Sequence, residues 1–260
     1  MATSAKNEGG IRSVQRAIDI LNCFSWEKKE LGLVEIATLI DLPKSTTSRM
    51  LQALTANGFL QRDANTGRYR LGTKLYYLGS IVKESMELRR IANPVMLNLR
   101  DETLETVNLY ILEGTRRVCI EQVESPLGLR RLVRIGEQFP LWVGASGKVL
   151  MAHINRWDQE KVIREALAAS SNLNPDDLLR QLEEIRHQGY YVSHGEREQG
   201  ASAVAAPIFN SEGRVEAALA ISGATARWTR DDVERFISMV QFAARKISGD
   251  MGWRYSRQED

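Results

Sequence analysis

The feature that most constrains this chain is a short run, residues 43–58, that starts at a proline and ends at a glycine. Proline suits the first turn of a helix and glycine suits the left-handed position just past its end, so the run predicts one short helix. Four residues fall at helical spacing on a packing face: Thr47, Met50, Leu51 and Leu54. The opposite face offers hydroxyls, an amide and two cations but no carboxylate: Lys44, Ser45, Ser48, Arg49 and Gln52. Such a face suits contact with phosphates and base edges, although an ordinary solvated face also fits.

The residues on either side favour DNA binding. Residues 33–42 form a short amphipathic helical pattern that ends at Pro43, and Asp41 tolerates the left-handed conformation that a tight turn needs. Residues 59–63 and 66–71 are strand-like and flank an Asn-containing turn. The predicted order is helix, turn, helix and a two-stranded wing.

Positive charge is concentrated in the same region. Between residues 43 and 74, six Lys or Arg residues stand against the single Asp63, whereas the whole chain carries a net charge of only +2. Residues 1–90 carry +5 and the remainder −3. This asymmetry predicts a basic nucleic-acid-binding unit attached to a nearly neutral body.

Length and composition indicate a globular protein with two domains. The chain has 260 residues, of which 43% are hydrophobic and 26% charged. No apolar run approaches the ~20 residues that span a bilayer, and polar residues 1–10 lack a signal-peptide core and are predicted to be disordered. Cys23 and Cys119 lie in apolar-patterned segments, which favours buried thiols and a reducing, cytoplasmic location.

An α+β pattern begins at residue 91. The predicted elements are a helix at 91–103, a hairpin at 106–112 and 117–123, helices between 145 and 188, a hairpin at 203–209 and 215–221, and a helix at 229–252. Strands at both ends with helices inserted predict one antiparallel sheet covered by helices. The preceding helix, predicted over 73–90, has so much apolar surface that something must cover it, and a second copy of the chain is the favoured partner.

Several motifs resemble those of the IclR-type bacterial transcriptional regulators. Near the N-terminus these are Leu42-Pro-Lys-Ser-Thr46 with Arg49 and Leu51, Gly58-Phe-Leu60, and Tyr69-Arg-Leu-Gly72. Gly189, Ser193 and Glu196, with the segment 203–210, match the family signature at every fixed position. The resemblance covers nearly the whole chain, with the departure that Asp41 stands where these regulators usually have glycine.

The resemblance implies a fold and a set of partners. It implies a winged helix-turn-helix domain at 11–72, a linker and dimerisation helix at 73–90, and a GAF-like effector-binding domain at 91–260. Such a protein binds double-stranded operator DNA as a dimer or dimer of dimers, responds to a small organic acid, and needs no cofactor. The predicted DNA-binding residues are Lys44, Ser45, Thr46, Ser48, Arg49, Gln52, Arg62, Arg68 and Arg70. Matching the family's effector pocket implicates Ala145, Ser146, Ser193, Ala203, Ala220 and Ser222.

The composition of that predicted pocket bears on its ligand. Small, neutral side chains leave volume, which favours an acid bulkier or more aromatic than a two- or three-carbon acid. Residues 144–148 begin a helix whose free N–H groups attract an anion, although a plain helix cap fits equally well. One of Arg130, Arg131 and Arg134 is a candidate for a carboxylate contact.

An enzyme is the main alternative of a different class. Residues 144–148 are not a Walker P-loop, because Trp142 and Val149 occupy positions that the motif reserves for other residues. Ser146 lacks the G-x-S-x-G elbow of a nucleophilic serine. The remaining candidates are His153, His187, His194 and Glu196, and the pair His194 and Glu196 lacks a third metal ligand at a recognisable spacing. The sequence therefore favours a ligand-responsive regulator without a metal over a metal-dependent or other enzyme fused to a DNA-binding domain.

Overall fold

The computed structural model describes residues 12–85, 87–128, 133–169 and 173–254. The chain divides into two compact units, Met1–Ser85 and Met86–Asp260. The segment 1–10, predicted to be disordered, and the two candidate arginines at 130 and 131 lie outside the described residues.

The first unit is a winged helix-turn-helix, as predicted. Its elements are α1 (Arg12–Asn22), α2 (Leu33–Leu39), α3 (Lys44–Ala56), β1 (Leu60–Arg62), β2 (Tyr69–Leu71) and α4 (Thr73–Ser85). Its core consists of Ile20, Leu31, Ile36, Leu51, Leu60 and Tyr69. The left-handed conformation predicted between α2 and α3 is confirmed, because Asp41 has φ 49°. Asparagine and aspartate tolerate this region better than most non-glycine residues, so the turn forms without the usual glycine.

The wing is a short antiparallel ladder with an added partner. Residues 60–62 pair with residues 69–71, and Leu31 exchanges both backbone hydrogen bonds with Tyr69 at 3.0 and 2.8 Å. Arg68 ties the wing to α2, since its Nη2 donates to the Glu35 carboxylate at 2.8 Å and to the Glu30 carbonyl at 3.0 Å.

The helix predicted over 73–90 is helical wherever the structure describes it, but it is divided between the two units. Residues 73–85 form α4, residues 87–90 begin α5 (Glu87–Thr103) in the second unit, and residue 86 lies outside the described residues. Residues 87–90 belong to the second unit because Leu88, Ala92 and Met96 recur every four residues and are buried in its core. The apolar residues of α4, in contrast, are exposed, including Tyr76, Tyr77 and Ile81.

The second unit is built on one antiparallel sheet with strand order β5-β4-β3-β8-β7-β6, which confirms the predicted α+β class. The strands are β3 (Thr106–Glu113), β4 (Arg116–Val123), β5 (Gln138–Pro140), β6 (Tyr191–His194), β7 (Ala201–Phe209) and β8 (Val215–Ala224). The two hairpins were predicted. Strands β5 and β6, which form the edges, were not.

Helices cover both faces of this sheet. The helices that follow α5 are α6 (Ala145–His153), α7 (Arg156–Ala169), α8 (Pro175–Gln188) and α9 (Arg230–Asp250). One face packs against α5 and α9 through a core that includes Leu109, Leu219 and Phe236. The other packs against α6, α7 and α8 through a core that includes Val149 and Leu182.

Both cysteines are free thiols, and Cys23 is half-buried rather than buried as predicted. Cys119 is buried, and burial raises the pKa of its thiol to about 12. In the part of the chain that the structure describes, no helix combines the length and the apolar character needed to cross a membrane.

Candidate functional sites

The exposed face of α3 carries the predicted contact residues. Thr47 and Leu51 are fully buried and hold the helix against the core. Lys44, Ser45, Arg49 and Gln52 are exposed, and Thr46 and Ser48 are half-buried. The fixed packing face therefore sets the orientation of the polar face.

The start of α3 is suited to an anion. Its first backbone hydrogen bonds run from the N–H of Thr47 to the carbonyl of Pro43, at 3.0 Å, so the preceding N–H groups have no acceptor within the helix. The sequence of α3 contains no acidic residue. Together with the side chain of Lys44, this end of the helix offers positive charge and donors to a phosphate.

Two of the three predicted wing arginines project from the strands. Arg62 and Arg70 are exposed, and Arg70 Nε lies 3.2 Å from Gln61 Oε1. Arg62 Nε likewise donates to the carbonyl of Gly67, at 3.3 Å. Arg68 differs, because its guanidinium forms an ion pair with the carboxylate of Glu35, which offsets its charge, and also donates to the carbonyl of Glu30.

The single acidic residue between residues 43 and 74, Asp63, is hydrogen-bonded within the turn of the wing. Asp63 Oδ1 accepts hydrogen bonds from the N–H groups of Asn65 and Thr66 at 3.0 and 2.8 Å. Hydrogen bonds from Thr66 are the largest cause of the lowered pKa of the Asp63 carboxyl. The carboxylate organises the turn, and the wing keeps its net positive charge.

In the second unit, all six residues of the predicted effector pocket line one cavity of about 40 Å³. Strand register explains the meeting of three of them: Ser222 on β8 pairs with Ala203 on β7, and Ala203 pairs with Ser193 on β6. Ala220 lies in the next row, and Ala145 and Ser146 come from the start of α6. The cavity lies where small side chains of the sheet face the start of this helix.

The chain itself occupies part of the start of α6. The N–H of Gly144 donates to Glu196 Oε2 at 2.9 Å, and the N–H of Ala145 donates to Ser193 Oγ at 3.1 Å. Two N–H groups of the stretch expected to attract an anion are therefore bonded internally. The N–H groups of Ser146 and Gly147 belong to the same first turn, which lacks helical acceptors.

Glu196 is the centre of a half-buried polar network. Its carboxylate accepts from Lys148 Nζ, with the shortest distance 2.9 Å, and from the Tyr191 hydroxyl at 2.8 Å. Lys148 Nζ also donates to Gln181 Oε1 at 2.9 Å. Burial and the neighbouring Glu196 carboxylate raise the pKa of Tyr191, which keeps its hydroxyl a donor. The network fixes residue 196, and with it the loop that follows β6, against α6.

Two arginines line the cavity. Arg117 is buried, and its Nη1 donates to the Val143 carbonyl at 2.7 Å and to the carbonyl of Pro140. The guanidinium of Arg197 lies 4.0 Å from the centroid of the Phe139 ring, a cation–π geometry that orients its plane. Arg134, considered earlier as a carboxylate partner, is exposed and is not among the lining residues.

Comparison with known proteins assigns the chain. A model of the IclR helix-turn-helix domain matches residues 13–64, and a model described as the bacterial transcriptional regulator IclR C-terminal domain matches residues 81–249. The chain belongs to the IclR family of bacterial transcriptional regulators. It therefore combines a helix-turn-helix domain with an IclR-type effector-binding domain, and the predicted function as a transcriptional regulator is confirmed.

Similar IclR-family proteins extend over nearly the whole chain. The HTH-type transcriptional regulator KipR of Bacillus subtilis is 32% identical over 246 residues, which is 93% of this chain and 98% of KipR. An IclR transcriptional regulator from Alicyclobacillus acidocaldarius is 31% identical with a TM-score of 0.82, over 94% of this chain and all of that chain (100%). An IclR homologue from Microbacterium hydrocarbonoxydans, solved as a complex with 4-hydroxybenzoate, is 26% identical with a TM-score of 0.77. The match covers 92% of this chain and 98% of that chain.

Two of the residues weighed for an enzyme, His194 and Glu196, have other partners in this IclR-family chain. His194 Nδ1 lies 2.8 Å from Ser202 Oγ, whereas Glu196 bonds to Lys148. Among the residues that the structure describes, no group of three or more His, Cys, Asp or Glu side chains could hold a metal ion.

Sequence reasoning missed several polar residues that line the cavity, among them Asn108, Arg117, Arg197 and Glu198. Asn108 could have been noticed in the sequence, because it is a polar residue that interrupts the apolar pattern of β3. In the structure it is almost completely buried. No feature of the sequence marks Arg117 or Arg197 as cavity residues, since strand ends and loops often carry solvated arginines.

The cavity is smaller than the sequence led us to expect. A cavity of about 40 Å³ holds only a few water molecules, since one water needs roughly 10–15 Å³ of such space. A benzoate-sized ligand therefore requires the lining to move. Movement of the loop from Gly195 to Gly200, which is mostly exposed and carries the lining residues Glu196, Arg197 and Glu198, would have to break the bonds of Glu196 to Lys148 and Tyr191.

Proposed function

We propose that this IclR-family chain binds operator DNA as a dimer or dimer of dimers, and that a small organic acid in the cavity modulates this binding. The observation that carries the proposal is the exposed face of α3, which presents Arg49, Gln52 and Lys44 without a carboxylate, on a helix fixed by buried Thr47 and Leu51.

The dimensions of α3 suit the major groove. Thirteen residues span about 20 Å, and the groove is about 12 Å wide. We assign Arg49 and Gln52 to base edges, and Lys44 with the start of α3 to a phosphate. Arg62 and Arg70 of the wing extend the contact to the flanking backbone, with Ser45, Thr46 and Ser48 as further donors.

Two copies of the chain would place two such helices on adjacent half-sites. The exposed apolar residues of α4 support a second copy as the partner, because a helix with Tyr76, Tyr77 and Ile81 in water exposes a costly surface. We accordingly assign residues 11–72 to DNA binding, α4 to dimerisation, and the chain from α5 onward to effector binding.

The chemistry of the cavity supports an acid as the effector. Arg117 and Arg197 supply positive charge, and Ser146 lies in the first turn of α6, where the helix dipole favours an anion. The homologue solved as a complex with 4-hydroxybenzoate supports an aromatic acid as one candidate ligand class. We infer a role without catalysis, because the relatives are transcriptional regulators.

Replacing Arg49 tests the DNA-binding part. Arg49→Ala should lower affinity for a DNA fragment that wild-type protein has selected from a random pool, because a cation on the exposed face of α3 is lost. If the contact is to a phosphate, the slope of log affinity against log salt should fall by about 0.9. Fluorescence anisotropy across salt concentrations measures both quantities.

Arg156→Ala is the matched control, since Arg156 is an exposed arginine on α7 of the other unit. It removes the same charge and should leave affinity unchanged. Wild-type affinity and salt slope for Arg49→Ala, with circular dichroism unchanged, would contradict the assignment of α3 as the contact helix.

A further inference from the structure

Asn108 is a buried polar residue in the wall of the effector cavity. It lies in the middle of the sheet, on β3, paired with Ala220 on β8 and Gln122 on β4. Its exposed fraction is 1%, and it lines the same cavity as Ser146, Ser193 and Ser222. Neither the family signature nor the pocket residues inferred from the family include it.

Only one end of the Asn108 amide is bonded. Its Nδ2 donates to Ser222 Oγ at 3.0 Å, and Ser222 Oγ lies 3.5 Å from the carbonyl oxygen of Thr106. A Ser222 hydroxyl turned towards that carbonyl leaves its oxygen free to accept from the amide nitrogen, which is consistent with this orientation of the amide. Asn108 Oδ1 is left buried and, among the described residues, has no hydrogen-bond partner.

A buried carbonyl oxygen without a donor is unusual, and such groups in native proteins call for an explanation. The adjoining space of about 40 Å³ has room for one small polar group. We propose that Asn108 is a specificity-determining residue: its Oδ1 accepts a hydrogen bond from a hydroxyl group of the effector, so that the cavity takes hydroxy acids in preference to the same acids without the hydroxyl.

The other polar groups of the cavity complement this assignment. Arg117, Arg197 and the start of α6 attract the carboxylate, and as donors they cannot accept a hydrogen bond from a hydroxyl. The lining also contains serine hydroxyls and the carboxylates of Glu196 and Glu198, which can accept. Asn108 Oδ1 differs from them because it is a buried oxygen that has no hydrogen-bond partner among the described residues. A site that pairs with a hydroxyl discriminates strongly against an analogue that lacks it, because the buried acceptor then stays unpaired. The inference rests on the proposed acid-responsive function and narrows its ligand class.

Matched pairs of acids test the inference on the full-length protein. Isothermal titration would compare glycolate with acetate, lactate with propionate, and 4-hydroxybenzoate with benzoate. In at least one pair, wild-type protein should bind the hydroxylated acid at least tenfold more tightly. Asn108→Leu keeps a similar volume but removes the acceptor, and this preference should fall to about onefold.

A second variant separates recognition from a structural role. Asn108→Asp retains an acceptor oxygen at the same place, so it should keep the preference for the hydroxylated acid even if its negative charge weakens binding of both members of the pair. A variant that only disturbed packing would lower both affinities without changing their ratio. Thermal melts establish that each variant is folded.

The outcomes distinguish this inference from the proposed function. If wild-type protein binds both members of every pair equally, or if Asn108→Leu keeps the wild-type ratio, the role of Asn108 is overturned while acid sensing stands. If wild-type protein binds none of the six acids and none changes its affinity for DNA, both the role of Asn108 and the acid-responsive function are overturned.

Discussion

His153 shows how the fold sets the chemistry of a single residue. It lies in the last turn of α6, where its Nδ1 is 2.9 Å from the Val149 carbonyl and its ring meets Phe209 edge-on, with 5.7 Å between centroids. Burial is the largest cause of its lowered pKa, and nearby Arg186 acts in the same direction. The folded protein therefore holds this histidine neutral.

The lowered pKa predicts a pH dependence of stability. Below the unfolded value of about 6.5, the unfolded chain takes up a proton at residue 153 more readily than the folded chain. The contribution of neutral His153 to the free energy of unfolding is thus complete above about pH 6.5, and it is lost as the pH falls towards the pKa of the folded state. His153→Gln should make the decline in unfolding free energy between pH 7.5 and 5.5 shallower, as measured by urea denaturation.

His187→Gln is the control, since it removes an exposed histidine from α8. It should preserve the wild-type decline. A His153→Gln variant that loses stability on acidification as steeply as wild type would show that burial of His153 does not cause the decline in unfolding free energy.

At this scale the sequence predicted residues whose role is fixed by local pattern. The conformation of Asp41 followed from its place in a tight turn, and the small residues of the predicted pocket followed from matching this chain to the family's effector pocket. Asn108 and Arg197 escaped prediction, because their meeting depends on strand register and on a loop that folds back over the sheet. A local sequence pattern contains no information on contacts between residues that are far apart in the sequence.

At the scale of the elements, Gly147 allows α6 to pack closely against the segment that follows β5. A Cβ at Gly147 would lie 2.5 Å from the carbonyl oxygen of Leu141 and would meet the guanidinium of Arg117. The helix can approach the segment after β5 only because residue 147 has no side chain. This close approach positions Ala145 and Ser146 at the cavity.

Gly147→Ala should therefore destabilise the protein, although alanine is the better helix former. Overpacking against backbone typically costs about 1–3 kcal/mol, which exceeds the gain in helix propensity of about 1 kcal/mol. Gly249→Ala in α9 is the matched control, because its Cβ would meet nothing within 4 Å. Denaturant titration should show lower stability for the first variant and equal or higher stability for the second. Equal stabilisation by both would contradict the close packing.

Elements with clear end signals were predictable from sequence. α9 begins at a capping box in which Thr229 and Asp232 exchange hydrogen bonds, both at 3.1 Å. The boundary between the two units, after Ser85, has no proline or glycine to mark it. Strand β5 has three residues and contains Pro140, so it is too short for a periodic pattern and is defined by its pairing with β4.

For the whole molecule, the exposed surface of α4 predicts self-association. Tyr76 is 81% exposed in the single chain, and a charge placed there would be buried unpaired in an interface between two copies. Tyr76→Glu should shift the protein towards monomer in sedimentation velocity experiments. Trp157→Glu, at an exposed residue of α7, should keep the wild-type mass. An unchanged mass for Tyr76→Glu would place the interface elsewhere.

The central claim is that the chain binds DNA with one unit and senses an acid with the other. Ala203→Leu adds three carbon atoms beside a cavity of about 40 Å³ and should exclude the effector. The most direct measurement is the affinity of this variant for the selected DNA fragment, with and without an acid that alters binding by wild-type protein. We predict wild-type affinity without the acid and no response to it. A wild-type response would place the effector outside this cavity, and loss of DNA binding by a folded variant would contradict the separation of the two functions.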